Sequence, residues 1–297
     1  ASLQEIVGRT DLLFQLNRGS TDLDDLDLNP ILTKIDSDIG DYKIKNENRN
    51  EVVQNLDVEI LKDASRLFDS KEKVQLTYNI KNTDRAIGAF ISSAVTRKFG
   101  MHTLEDNHLS IRLRGSAGQS LGAFVVKGIT LELFGDANDY VGKGLSGGTI
   151  IVRPNASSKI ITNDSVIIGN VCLYGATRGK LYAAGIAGER FCIRNSGVEA
   201  VVEGCGDNGC EYMTGGIAVI LGQVGNNFAA GMTGGIAFVY DKEGTLPLRI
   251  NSEDVIYQQQ LLPYWENLLE SKIKDHYINT KSSYAKNILD SWEKEKL

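Results

Sequence analysis

The glycine-rich middle of this sequence contains one motif that accompanies a catalytic serine in other proteins. Residues 144–148 read GLSGG and fit the G-x-S-x-G pattern, in which a nucleophilic serine lies on a sharp turn between a strand and a helix. Here the strand-like run TIIVRP follows Ser146. The chain offers only His102, His108 and His276 as imidazole bases. We therefore interpret Ser146 as a turn residue.

Two further stretches match the G-x-G-x-x-G pattern of dinucleotide-binding loops. They are GKGLSG, which starts at Gly142, and GCGDNG, which starts at Gly204. In nucleotide-binding folds this loop leads from a strand into a helix whose N-terminus holds the pyrophosphate. Strand-like residues follow both stretches here, so the sequence predicts no nucleotide site.

The cysteine spacing does not match a zinc or iron–sulfur motif. Cys205 and Cys210 lie five residues apart, and Cys172 and Cys192 lie 20 residues apart. Neither pair forms the C-x-x-C unit of a structural zinc site. We expect Cys172 and Cys192 to lie on adjacent structural repeats as small buried hydrophobic residues, and we predict no metal site.

The polar residues Asp136, Asn138 and Asp139 lie together in GDANDYVG. An EF-hand loop needs glycine at its sixth position and glutamate at its twelfth, and both are missing, so we interpret these residues as turn formers. Arg85, in NTDRAIGA, is expected on a helix just before the glycine-rich region. Either a buried salt bridge that ties the cap to the solenoid or a functional role would explain it.

Glycine is concentrated in one region with a short repeat. Of the 31 glycines, 26 lie between residues 115 and 244. Four segments resemble one another: GLSGGTIIV, GIAGERFCI, YMTGGIAVI and GMTGGIAFV, with matching glycines at Gly147, Gly188, Gly215 and Gly234. Their separations of 41, 27 and 19 residues indicate a repeat near 20. Repeats of one turn and one short apolar strand bury a continuous interior only when stacked.

These features predict a mainly β fold, a right-handed parallel β-helix. Glycine suits its corners because it adopts positive φ and lets neighbouring turns approach closely. We assign fourteen glycines to the turns: Gly115, Gly118, Gly122, Gly142, Gly144, Gly147, Gly148, Gly185, Gly188, Gly215, Gly216, Gly231, Gly234 and Gly235.

The chain divides into four predicted parts. Residues 1–50 form a lead-in segment, residues 51–114 an α/β cap, residues 115–252 the glycine-rich β-helix, and residues 253–297 a tail of two or three helices. Pro263 is expected to begin one of these helices. The flanks are needed because the open ends of a solenoid expose strand edges.

Composition limits the partners and the compartment. The net charge of −6 gives no basic surface for nucleic acid, and no apolar run has the length of a membrane-spanning helix. Four cysteines in 297 residues are too few for a disulfide scaffold, and the opening residues lack a signal-peptide pattern. We expect a soluble protein of the cytoplasm or of an organelle stroma or matrix.

Several long segments resemble one known family. NTDRAIGA, RGSAGQSLGAF and LFGDANDYVGKGLSGGTIIVRP closely resemble the C-terminal glycine-rich domain of the glutamate synthase large subunit. AAGMTGGIAFVYD, TKSSYAKNILDSWE and the opening EIVGRTDLL resemble the same region. The resemblance covers nearly the whole chain.

The resemblance implies a role without chemistry of its own. In that family a cysteine amidohydrolase domain releases ammonia from glutamine. A domain with FMN and an iron–sulfur cluster then combines the ammonia with 2-oxoglutarate to form glutamate. The C-terminal domain is a right-handed β-helix that packs against these amidotransferase and FMN-binding domains. It has no catalytic, cofactor-binding or metal-binding residue, so none is predicted for this chain.

Two alternatives remain at the level of sequence. The chain could serve as a stand-alone β-helix subunit of another oxidoreductase complex, related to a subunit of formylmethanofuran dehydrogenase. It could also be an independent β-helix enzyme, but such an enzyme needs converging titratable groups, and the repeats contain mainly glycine and apolar residues. Whether the related enzymes' electron donor is ferredoxin or NAD(P)H is not encoded in this region.

Overall fold

A computed structural model describes residues 2–17, 19, 25–34, 55–155 and 157–295 of the protein. The chain forms two compact units, Ala1–Val53 and Gln54–Leu297. In the first unit, the short helices α1 (Leu3–Ile6) and α2 (Asn29–Leu32) and a 3₁₀ turn (Thr10–Leu12) are the described elements. Much of the predicted lead-in segment, and residues 51–54 of the predicted cap, lie outside the described residues.

The second unit is built on one parallel sheet. Its described strands are β1 (Val74–Ile80), β2 (Leu109–Ala117), β3 (Ile129–Ala137), β4 (Ser146–Arg153), β5 (Val166–Ile168), β6 (Arg178–Ala183), β7 (Ile186–Ala187), β8 (Ser196–Val202), β9 (Thr214–Ile220) and β10 (Gly234–Val239). The main column follows the order β1-β2-β3-β4-β6-β8-β9-β10, and β5 and β7 form a second, short column beside it. The strands wind as a β-solenoid of about six turns, which confirms the predicted fold class.

Parallel register places like residues on top of one another. Leu133 of β3 pairs with Val152 of β4, Val152 pairs with Ala183 of β6, and Ala183 pairs with Val202 of β8. All four side chains are buried. Each turn alone exposes its apolar edge, and stacking removes this area from water.

The outer face of the sheet is also buried from β4 onward. Its outward residues include Ile151, Tyr182, Val201, Val219 and Phe238, which form a second apolar core under the C-terminal helices. These helices are α6 (Pro263–Thr280), α7 (Ser283–Asp290) and α8 (Trp292–Glu295). The tail is thus helical as predicted, and Pro263 is the first residue of α6. A sheet buried on both faces explains the near-continuous apolar strands.

The N-terminal flank is a set of helices around the first strand. It contains α3 (Leu56–Asp63), α4 (Ser65–Ser70) and α5 (Ala89–Phe99). The buried carboxylate of Asp57 accepts hydrogen bonds from the backbone N–H groups of Gly88 and Phe90, each at 2.8 Å. This carboxylate therefore joins α3 to the N-terminus of α5, where negative charge is favoured.

Each of six successive turns has a corner in which three residues at positions i, i+2 and i+4 have positive φ. We call this feature the left-handed ladder. Its members are Ser120, Gly122 and Phe124; Tyr140, Gly142 and Gly144; Val171, Leu173 and Gly175; Arg190, Cys192 and Arg194; Asn208, Cys210 and Tyr212; and Asn227, Ala229 and Gly231. Only five of these eighteen residues are glycine, although the left-handed conformation costs other residues about 1–2 kcal/mol each.

Hydrogen bonds between turns hold the left-handed ladder in place. The N–H of Arg190 donates to the carbonyl of Asp207 on the next turn at 2.8 Å, and the N–H of Cys192 donates to Cys172 on the preceding turn at 2.9 Å. The N–H of Arg194, like that of Arg190, donates to a carbonyl on the next turn. The corner is thus bonded in both directions, and these bonds offset the backbone strain.

The predicted alignment of the repeats is wrong at one position. Gly215 and Gly234 lie in β9 and β10, but Gly188 follows β7, and its N–H donates to the carbonyl of Gly169 at 3.1 Å. In β8 the residue that pairs with Gly215 is Ser196, directly before Gly197. The error arises because glycines occur both in the strands of the main column and in the connection after β7, and a short pattern does not distinguish between these places.

Candidate functional site

Ser146 is the first residue of β4 and lies directly after a corner. Its hydroxyl donates to the carbonyl of Gly144 at 2.7 Å. Among the described residues, no histidine is hydrogen-bonded to it: His108 contacts the carbonyl of Lys71, and His276 contacts Glu203. The interpretation as a turn residue is corrected to a strand residue, and its hydroxyl satisfies a local carbonyl.

Both dinucleotide-like stretches lie in solenoid corners. Gly142 and Gly144 belong to the left-handed ladder and lead into β4, whereas Gly204 follows β8. The next element after GCGDNG is β9. Because a strand follows in both cases, neither stretch has the helix N-terminus that binds a pyrophosphate.

The four cysteines are free and buried in the solenoid. Burial raises the pKa of the Cys172 thiol to about 12 and also raises the pKa values of Cys192 and Cys205. Within the described ranges, no three His, Cys, Asp or Glu residues are grouped so that they could hold a metal ion. The absence of such a group among the described residues, with burial favouring the protonated form of three of the thiols, does not fit the four-thiolate ligand set of an iron–sulfur cluster, so we derive no chemistry through such a cluster here.

The acidic turn residues join adjacent turns of the solenoid. The hydroxyl of Ser116 donates to Asp136 at 2.8 Å, and the backbone N–H of Asn170 donates to Asp139 at 2.8 Å. Asn138 accepts from the N–H of Asp139 at 2.7 Å. These contacts are the turn chemistry expected of short polar side chains.

Arg85 differs from its prediction in position and environment. It lies in an exposed loop, and the helix expected around it begins only at Ala89. No ion pair of Arg85 occurs within the described residues. Gly88, with φ of +103°, precedes the helix, and a left-handed residue cannot continue a right-handed helix backwards.

The fourteen predicted turn glycines fall into three groups. Gly122, Gly142, Gly144 and Gly231 belong to the left-handed ladder. Gly118, Gly185 and Gly188 lie in other connections. Gly115, Gly147, Gly148, Gly215, Gly216, Gly234 and Gly235 lie inside strands, so their assignment to turns is corrected.

Close approach between turns accounts for a strand glycine. A Cβ atom added to Gly234 would lie 2.4 Å from the carbonyl oxygen of Thr214 on the preceding turn. At Gly215 the same atom would lie 2.4 Å from the carbonyl of Ser196. We propose that these glycines are selected by the close spacing of the turns.

A buried polar cluster that sequence reasoning missed joins the solenoid to its C-terminal helices. Glu203 follows β8, and its carboxylate accepts hydrogen bonds from the hydroxyl of Ser282 and from His276 Nε2, the latter at 3.3 Å. Ser282 also caps α7, because its Oγ accepts from the N–H of Ala285 at 3.0 Å. Glu203 and His276 have fully buried side chains.

This cluster is only partly satisfied. Glu203 Oε2 and His276 Nδ1 have no hydrogen-bond partner within the described residues. A buried carboxylate is costly unless it is paired and hydrogen-bonded, so Glu203 makes the solenoid dependent on α6 and α7. The sequence signal was weak: glutamate after a β-strand normally indicates a solvated turn.

Two tyrosines attach the helices to the last turns beside this cluster. The hydroxyl of Tyr284 in α7 donates to the carbonyl of Leu221 at 2.7 Å, and Tyr240 donates to Glu295 in α8. Glu203, Tyr240 and Tyr284 line a cavity of about 560 Å³. Because both hydroxyls already have partners, this wall holds the helices in place.

The described helices include none that combines the length and apolar character required to cross a lipid bilayer.

The solenoid also has sequence relatives. Residues 57–297 match the family defined by the GXGXG motif. The chain belongs to the GXGXG family. The G-x-G-x-G spacing of i, i+2 and i+4 is also the spacing of the left-handed ladder.

Individual relatives of this GXGXG chain are glutamate synthases. It is 60% identical over 294 residues to the glutamate synthase [NADPH] large chain of Azospirillum brasilense. This alignment covers 99% of this chain and 19% of that protein. It is 43% identical to ferredoxin-dependent glutamate synthase 2 of Synechocystis sp., across 98% of this chain and 19% of the relative. The chloroplastic/mitochondrial ferredoxin-dependent glutamate synthase 1 of Arabidopsis thaliana is 41% identical, across 99% and 18%.

The GXGXG chain therefore spans about one fifth of the length of these relatives. The predicted resemblance to the glycine-rich domain of glutamate synthase is confirmed.

Proposed function

We propose that this chain is a non-catalytic structural and coupling domain of a glutamate synthase. In this role it packs against the amidotransferase and FMN-binding domains and holds their relative positions. The observation that carries the proposal is that nearly the whole chain aligns with about one fifth of the length of a glutamate synthase large chain, at 60% identity. FMN and the iron–sulfur cluster would belong to other domains of that enzyme.

The relatives' names support a role that does not depend on the electron donor. Enzymes named for NADPH and for ferredoxin both match this chain over nearly its whole length. A domain that bound one donor would need different contacts for a small nucleotide and for a protein. The similarity instead favours a task that both kinds of enzyme share, such as positioning domains for the transfer of ammonia.

The first unit offers a surface suited to such packing. Between residues 6 and 16 it exposes a set of large apolar side chains: Ile6, Val7, Leu12, Leu13, Phe14 and Leu16. Phe14 alone is 79% exposed. Contiguous exposed apolar residues are typical of interfaces, so we propose that an FMN-binding domain covers this segment.

The free thiols support a reducing compartment for this domain. All four cysteines are unpaired and buried, which is usual for proteins of the cytosol and of organelle interiors. We propose the cytoplasm or an organelle stroma or matrix, and one relative carries the name chloroplastic/mitochondrial.

The size of the native polypeptide tests the proposal directly. An antibody raised against this chain is used to blot an extract of the source cells. We expect a band about five times the mass of this 297-residue chain. A band at the mass of 297 residues would instead indicate a separate subunit and would contradict the proposal.

A second experiment tests the coupling role in the full-length enzyme. Phe14→Ser should weaken the interface, so that glutamine hydrolysis continues while less glutamate forms per glutamine consumed. Phe14→Leu keeps an apolar side chain and serves as the matched control. If the ratio of glutamate to glutamine stays constant in both variants, this segment has no coupling role.

A further inference from the structure

The outer face of the sheet changes from apolar to charged near the C-terminal end of α6. Helix α6 packs on β4, β6 and β8, and the outward residues there are apolar. Before β4, the outward residues Arg112 of β2 and Glu132 of β3 are charged and paired in register. A cavity of about 260 Å³ lies at this boundary, between the polar part of the sheet and the C-terminal end of α6.

Cations dominate the wall of this cavity. Its charged residues are Arg112, Arg153, Lys281 and Glu132. Glu132 is shared, because its Oε2 lies 3.1 Å from Arg112 Nε and its Oε1 lies 3.1 Å from Arg153 Nη2. The C-terminus of α6 adds about half a negative charge, so three cations face roughly one and a half negative charges.

Arg153 is the most constrained of these cations. Only 22% of its side chain is exposed, and its guanidinium lies 4.3 Å from the centre of the Phe134 ring. Its Nε is buried and has no hydrogen-bond partner within the described residues. A buried, incompletely satisfied guanidinium is costly unless an anion compensates it.

The neutral side chains of the cavity also favour an anion. Thr130 donates its hydroxyl hydrogen to Asn107 Oδ1 at 2.8 Å, which occupies the acceptor of Asn107 and leaves its N–H groups available. Asn279 Nδ2 donates to the carbonyl of Asp275 at 2.7 Å and retains a second hydrogen. Both amides therefore have N–H groups left to donate.

We propose that this cavity binds a small oxyanion, the phosphate or carboxylate group of a free small molecule. Arg153 and Lys281 would supply the charge, and the volume of 260 Å³ suits a group of this size. Arginine favours carboxylate and phosphate because its planar fork matches their oxygens. The site goes beyond the proposed domain-positioning role and does not depend on it.

Calorimetric titration of the purified chain tests the site. Inorganic phosphate and succinate are titrated separately at constant ionic strength, so that the two arms distinguish the sources of the oxyanion. We expect saturable binding of at least one probe with a stoichiometry near one. If neither probe saturates, the cavity is not an oxyanion site.

Substitutions locate the site. Lys281 caps α6 in a left-handed conformation with φ of 58°, which asparagine also tolerates, so Lys281→Asn should fold and weaken binding at least threefold. Arg153→Met should abolish binding. Lys242→Asn, which alters an exposed lysine beyond β10 at the other end of the sheet, should leave the affinity unchanged. Equal weakening by Lys242→Asn and Lys281→Asn would show a general charge effect and overturn the proposal.

Discussion

Glu203 and Ser282 lie 79 positions apart in the chain, and a buried side-chain hydrogen bond joins them. Glu203 follows strand β8, while Ser282 caps the second C-terminal helix. The same carboxylate contacts His276 of α6. One glutamate thus connects three elements that the sequence places far apart.

Removing the Glu203 carboxylate should destabilise the whole second unit. We expect Glu203→Ala to lower the free energy of unfolding by about 3 kcal/mol, because Ser282 and His276 lose a buried partner. Urea denaturation measures the change. Glu199→Ala is the matched control: this glutamate lies four residues earlier, in β8, and its pair with Lys272 at 2.7 Å is partly exposed. It should cost about 1 kcal/mol or less. Equal losses would contradict the assigned role of Glu203.

The buried carboxyl of Asp57 should make stability fall as pH rises. Burial raises its pKa above the ordinary value of 3.8, although backbone hydrogen bonds from Gly88 and Phe90 oppose the shift. The folded chain therefore holds this proton to higher pH than the unfolded chain. Its contribution is complete below the unfolded pKa and is lost as pH rises through the folded pKa.

Denaturation of the parent and Asp57→Asn between pH 3 and pH 7 would measure this contribution. The parent should lose stability relative to Asp57→Asn as pH rises above about 4, and the difference should then become constant. A difference that changes in the parent's favour over the same range would show that the carboxyl is stabilised in its charged form.

Strand glycines should tolerate no side chain. Gly234→Val should lower the free energy of unfolding by about 3 kcal/mol or more, because a Cβ at this position would lie 2.4 Å from a carbonyl oxygen. Gly147→Val should act similarly, with φ of +135° and a Cβ 2.9 Å from the backbone nitrogen of Lys127. Gly244→Ala is the control, since its φ is +67° and nothing lies within 4 Å; it should cost about 1 kcal/mol. If both valine variants melt like the parent, close packing of turns does not select these glycines.

Replacing an exposed non-glycine residue of the left-handed ladder with glycine should stabilise the fold. Arg190 is exposed, has φ of 58° and donates its N–H to Asp207. Arg190→Gly should therefore raise stability by about 0.5–1 kcal/mol, because it relieves left-handed strain and loses no packed side chain. Arg190→Val should lower stability, since β-branched residues fit this conformation poorly. Thermal unfolding that ranks valine above glycine would contradict the strained geometry.

The sequence alone determined the solenoid. Apolar strands such as GTIIV and GIAVI recur at short intervals with glycine between them, and such repeats bury their apolar edges only by stacking. Local periodicity also determined the helical tail and the position of Pro263, because both depend on residues near one another in the chain.

The sequence did not determine which glycines face which neighbours. Gly188 and Gly197 both occur in glycine-rich segments, but only Gly197 stands in the strand column of Gly215. Likewise, most left-handed ladder residues are not glycine, since hydrogen bonds from adjacent turns impose positive φ on residues such as Val171 and Cys192.

Tertiary structure alone decided the polar contacts. Glu203 meets Ser282, and Arg153 meets Glu132, because the winding of the chain brings distant segments together. No local pattern encodes such pairs, whose cost and benefit depend on burial and partner geometry. Short-range patterning thus determined the architecture, and long-range packing determined its buried charges.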